Sequence, residues 1–176
     1  SGVVVALGGG LTTGFTCRVG TKVGVIGLKK KQGTYSEYVV AQAIGGIFPL
    51  PHTLQVQDAA SFFVNPYTAV AILDTARQAG SKVLVHTAAA SQLGQMMVKL
   101  ANQQNNDMTI INVVRRDEQA RLLQDIGAEH VIVTSNTEWK DALNKKIKEL
   151  NCTVAFDAVA GDMTGDILDC MPDKGT

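Results

Sequence analysis

The chain has 176 residues, 45% of them hydrophobic and 18% charged, which suits a globular protein with a buried core. Sixteen Lys and Arg offset sixteen Asp and Glu. No basic field is therefore available to steer a polyanion, and no nucleic-acid or membrane partner is expected. No apolar run approaches the roughly 18 residues that a membrane span needs.

Cys17, Cys152 and Cys170 lie far apart and show no metal-ligand spacing, so reduced thiols and a cytoplasmic location are expected, a mitochondrial one being compatible. The opening SGVVVALGGG has neither a charged leader nor an initiator methionine, and the expectation is that the chain begins inside a longer protein.

In chain order, residues 1–56 read as β-rich. GVVVALG, KVGVIG and TYSEYVVA are short apolar or alternating runs, separated by glycine-rich turns and by the basic stretch LKKKQG. FPLPHTL, with two prolines, reads as a linker. From Gln57 the spacing turns helical, interrupted at Asn65-Pro66 and stopped at Gly80. Strands at 82–86, 108–114, 130–133 and 153–157 then alternate with helices at 92–104, 117–126 and 137–150 and a final short helix. Continuous apolar strands between helices of about a dozen residues predict a parallel sheet covered on both faces. The fold class is α/β, a Rossmann-type doubly wound sheet that lacks its last strands, at 57–176, preceded by part of a β-rich domain at 1–56.

The stretch SKVLVHTAAASQLGQMMVKLA carries the first functional signal. A strand, a tight turn and a helix bring backbone amides together at the positive end of a helix dipole, where a pyrophosphate can bind. Glycine is needed there only for positive φ, for close approach of a ligand, or for helix–strand contact. Gly94 fits the last of these. Ala88 and Ala89 keep the turn small, and Ser91 adds a hydroxyl that can meet a phosphate. The second signal is INVVRRDEQ, which sets Arg115 and Arg116 where an acidic residue would hold a ribose diol. Guanidiniums there favour a 2′-phosphate, so NADPH is expected rather than NADH.

Taken in order, GTYSEYVVA, VNPYTAVAIL, VLVHTAAASQLGQMMVKLA, LLQDIGAEHVI and AFDAVAGD resemble the medium-chain dehydrogenase/reductase superfamily, above all its zinc-free quinone oxidoreductase and enoyl reductase members. The resemblance implies that 1–56 is the C-terminal part of a GroES-like domain. It sets Ala88, Ser91 and Gly94 on the family's AxxGxxG turn, with serine for the middle glycine. It places Asn65 and Thr68 at the nicotinamide side of the cofactor and Val159 in a loop beside the nicotinamide ribose. Val133 and Thr134 stand where relatives often carry a tyrosine near the adenine. The family's GHE-type segment and structural cysteine cluster are absent from the sequence, so no metal site is assigned.

The function so implied is reduction of a quinone or an α,β-unsaturated carbonyl by NADPH without zinc, with a homodimer for the full-length protein. No catalytic residue or proton donor is identifiable. Two alternatives are a non-catalytic dinucleotide-binding scaffold and an alcohol dehydrogenase-like enzyme whose zinc ligands lie outside this chain. His86 reads as a structural histidine and Trp139 as a packing residue beside Leu143, Ile147 and Leu150. GVVVALGGGLT imitates a dinucleotide motif, but Thr13 replaces its last glycine and no helical period follows.

Overall fold

The computed structural model describes residues 1–9, 17–26, 33–103 and 107–176. LKKKQG and the end of GVVVALGGGLT fall largely outside them. Two compact units emerge, Ser1–Val64 and Asn65–Thr176; the sequence reading divides the chain after residue 56.

The first unit holds a three-stranded antiparallel sheet, β1 (Gly2–Val3), β2 (Lys22–Val25) and β3 (Ile47–Pro49), in that order. This differs from expectation in two places. TYSEYVVA forms bends with a single bridging residue, Ala41, rather than a strand, and its tyrosines are exposed. The third strand instead falls in the proline-rich stretch read as a linker. Pro49 is tolerated because β3 is an edge strand, where a missing N–H breaks no ladder. Gly24 lets the Phe62 ring lie against β2: a Cβ there would sit 2.1 Å from the ring. Phe62 joins Phe48 and Phe63 in an aromatic cluster.

Residues 57–78 are not one helix. A 3-10 turn, Asp58–Ser61, precedes α1 (Val64–Gln78). Pro66 lies in the first turn of α1, where its absent N–H would have had no intrahelical acceptor.

The second unit continues as β4 (Val83–His86), α2 (Gln92–Ala101), β5 (Thr109–Val114), α3 (Asp117–Asp125), β6 (His130–Val133), α4 (Trp139–Leu150), β7 (Val154–Phe156) and α5 (Asp162–Cys170). The four strands are parallel in the order β6-β5-β4-β7. This is the Rossmann-type order, in which the first strand of the unit has a neighbour on each side. Alternate residues face opposite layers. Val83, Val85, Ile111, Val113 and Ile132 pack with Leu143 and Ile147 of α4 and Ile167 and Cys170 of α5, with Trp139 against the same cluster. Leu84 and Ile110 meet Ala69, Leu73 and Ala76 of α1 and Met97 of α2. None of the described helices is long and apolar enough to cross a membrane.

Two polar residues share the α1/α2 face at paired positions, His86 on β4 and Asn112 on β5. Asn112 donates to the carbonyls of Ile110 and His130, each at 3.1 Å, while its Oδ1 meets no donor among the described residues. His86 is fully buried, with Phe156 tilted against its ring at 5.6 Å. Burial pushes its pKa down, and the Phe156 backbone and the Asp157 charge only partly counter that. Neither ring nitrogen meets the geometry of a hydrogen bond to a described residue.

An imidazole held neutral in the fold but free to protonate when unfolded destabilises the protein in acid. Its contribution is complete above the unfolded pKa, near 6.5, and is lost as pH falls below that value. Chemical denaturation between pH 7 and pH 5 should therefore show wild-type stability falling more steeply than that of His86→Leu. The difference should approach about 1.4 kcal/mol per pH unit, and parallel curves would refute the assignment.

Candidate functional site

A cleft of about 400 Å³ opens at the carboxyl ends of the parallel strands. Thr87 follows β4, Arg115 follows β5 and Thr134 follows β6, and all three line it, with Val159 in the loop after β7. This is the place where α/β sheets of this kind bind ligands, beside the strand at which the order reverses.

The floor is the turn from Thr87 to Ser91. Ala88 takes a φ of 50°, the left-handed region that glycine occupies without strain. The turn closes through the Ser91 amide, which donates to the Ala88 carbonyl at 2.9 Å. Ser91 then caps α2, its Oγ accepting from the Gly94 amide at 3.2 Å. That leaves the hydroxyl hydrogen free to donate. Among the described residues, the amides of Ala90, Gln92 and Leu93 find no acceptor. Those of Gln92 and Leu93 are orphan donors of the helix start, while Ala90, just before the cap, lines the cleft together with Ser91. Gly94 is required by contact: a Cβ there would stand 2.0 Å from the Ala89 carbonyl oxygen.

Arg115 is exposed at the cleft, and neither it nor Arg116 joins an ion pair among the described residues. Arg116 is the N-cap residue of α3 and is not part of the lining, so the expected pair of guanidiniums resolves into one residue at the cleft and one beside it. The Gln119 side chain holds this corner, its Oε1 accepting from the Arg115 amide at 3.0 Å and the Arg116 amide at 3.1 Å. Asn65 and Thr68 lie in the first turns of α1, both half-buried and outside the cleft lining.

Sequence reasoning missed Asp157, which stands just after β7. Its carboxylate accepts from the Thr87 hydroxyl at 2.5 Å and the Val159 amide at 2.9 Å through Oδ1. Through Oδ2 it accepts from the Ala160 amide at 3.0 Å and the Thr164 hydroxyl at 2.5 Å. Thr87 Oγ1 in turn accepts from the Ala158 amide at 2.8 Å. Burial pushes the Asp157 pKa up, but the hydrogen bonds from Thr164, Thr87, Val159 and Ala160 outweigh it and hold the carboxyl below its ordinary value. The available signal was an acidic residue at a strand end followed by small residues, the pattern of a side chain that binds its own loop.

Residues 93–176 match the family model described as zinc-binding dehydrogenase. The chain is 31% identical over 170 residues to quinone oxidoreductase-like protein 2 of Rattus norvegicus, covering 96% of itself and 46% of that protein. A protein of known structure from Mesorhizobium loti, assigned as an NADPH:quinone reductase, superposes with a TM-score of 0.80 at 36% identity, covering 89% of this chain and 45% of its own. The Escherichia coli quinone oxidoreductase solved with NADPH shares the fold, with a TM-score of 0.73 at 21% identity, over 90% of this chain and 48% of that one. The chain thus spans about half the length of the relatives it matches. The resemblance drawn from the motifs is borne out, as is the Rossmann-type fold.

The two glycines Gly94 and Gly165 separate contact from propensity. Gly94→Ala drives a methyl group into the Ala89 backbone and should cost about 1–3 kcal/mol or more in urea unfolding. Gly165→Ala, inside α5 with nothing within 4 Å of its added Cβ, should instead gain about 0.5–1 kcal/mol. Equal effects at both positions would contradict the close approach at the turn.

Proposed function

We propose that this chain supplies the dinucleotide seat of an NADPH-dependent oxidoreductase acting on a quinone or an α,β-unsaturated carbonyl without a catalytic zinc ion. The observation that carries the reading is the cleft at the strand ends, with the unpartnered Ala90 amide on its floor beside the start of α2 and, on its rim, a guanidinium that no described residue pairs. The names of the rat and Mesorhizobium relatives support the reaction class.

The residues present fit such a cofactor. The Ala90, Gln92 and Leu93 amides, with the dipole of α2 behind them, would hold the diphosphate, and the Ser91 hydroxyl would donate beside them. Ala88 and Gly94 keep the turn low enough for a ligand to approach the backbone. Arg115, backed by Arg116, would meet a 2′-phosphate as a charge-assisted pair. Val159 would border the ligand on the β7 side, and Asn65 and Thr68 are assigned to its nicotinamide end on the family likeness. When bound, the cofactor supplies the hydride for the reduction. Zinc independence is proposed from the sequence's likeness to zinc-free members.

Fluorescence titration with NADPH and NADH tests the seat. Arg115→Ala should weaken NADPH by about tenfold or more while leaving NADH nearly unchanged, and Arg116→Ala should have a smaller effect. Equal losses for the two nucleotides would remove the 2′-phosphate assignment. Consumption of NADPH by the full-length protein with a panel of quinones and enones separates an enzyme from a binding scaffold.

A further inference from the structure

The loop after β7 is held in a conformation its residues do not favour. Ala160 takes a φ of 67°, and Gly161 follows at 65°. An alanine in the left-handed region costs about 1–2 kcal/mol, and such a residue persists only where its surroundings fix it. The fixing group is Asp157, which accepts two hydroxyls and two amides. One hydroxyl, Thr164, comes from α5 and the other, Thr87, from the turn after β4. Thr87 completes the tie by accepting from the Ala158 amide. The two segments that part from β4 and β7 are thereby joined at the switch point.

That network goes beyond what local folding requires. A loop of this length could close on its own backbone with its side chains in water. Here a half-buried carboxylate is committed wholly to tying the turn under α2 to the loop that carries Val159 into the cleft. Arg115 borders the β5 side of β4 and Val159 the β7 side, so the two residues flank opposite halves of the cleft.

We propose that Asp157 is a positioning residue: through Thr87 and Thr164 it sets the Val159 loop against the bound cofactor and governs affinity without selecting between NADPH and NADH. This rests on the reading of the cleft as a dinucleotide seat. Thr164 does not line the cleft, so any effect of changing it is transmitted through Asp157.

The test compares Thr164→Val, Thr164→Ser and Asp157→Asn with wild type, by titration with both nucleotides and by amide hydrogen exchange without nucleotide. Thr164→Val and Asp157→Asn should each weaken NADPH and NADH by the same factor, about tenfold, and speed exchange at Val159 and Ala160. Thr164→Ser, which keeps the hydroxyl, should restore both readouts. Faster exchange with wild-type affinity would make the network merely structural and overturn the proposal, while the cofactor reading stands. A change confined to NADPH would also overturn it. A wild-type protein that binds neither nucleotide would overturn the cofactor reading and this inference with it. Should Asp157→Asn fail to fold, the exposed Thr164 pair still decides the matter.

Discussion

β4 pairs in parallel with two strands, β5 on one side and β7 on the other, and this single pairing governs the architecture of the site. Parallel strands need crossovers, and crossovers of one hand carry the chain from β4 and from β7 to opposite faces. The helix leaving β4 buries Met97 with Leu84 and Ile110, while the helix leaving β7 buries Ile167 and Cys170 with Val83 and Val85. Between the two departures a crevice is left. The residues that border it are those that trail the strands, because each chain segment is still turning there.

Keeping the crevice open has consequences for the backbone around it. Among the described residues, the amides of Ala90, Gln92 and Leu93, around the start of α2, are left without acceptors. Alanines at 88 and 160 sit in a region suited to glycine, one in each loop that borders the switch point. Elsewhere among the described residues the left-handed region is left to glycines and to Asn151, which caps the C-terminus of α4. Strain and unmet donors therefore collect at the mouth of the sheet, while the described residues buried beneath are apolar apart from Ser81, His86, Thr87 and Asn112. The bonds of Asp157 and of Gln119 are the local compensation, one on the β7 side and one on the β5 side.

The second unit was legible in the sequence because its strands are buried on both faces. VLVH and TIINVV read as unbroken apolar runs, and helices of regular period separate them, so existence, type and order of the elements followed. The first unit was less legible for a complementary reason. Its strands are two to four residues long, too short to show alternation, and TYSEYVVA alternates without burying either face. Proline misled twice, once on an edge strand and once in a first helical turn, both places where its lost N–H costs nothing. At the site, residues whose chemistry shows in their type were found, as with Arg115 and Ser91. Asp157, whose work is done by its hydrogen bonds across 70 residues of sequence, left only a faint local trace.

For Arg115 and Arg116 the local structure supplies no folding role. Positive charge at the start of α3 opposes the helix dipole, so the fold gains nothing from it. Asp117 and Glu118 in the first turn supply the stabilising sign, and Gln119 takes over the backbone amides that the arginines themselves present. Neither guanidinium is buried, and among the described residues neither is paired. Everything α3 needs in order to begin is supplied by other side chains. What the arginines contribute is a field, directed at a cleft whose floor already carries the positive end of a helix. On the proposed reading of the cleft, these two independent sources of the same sign converge on one cavity and favour an anion as its occupant.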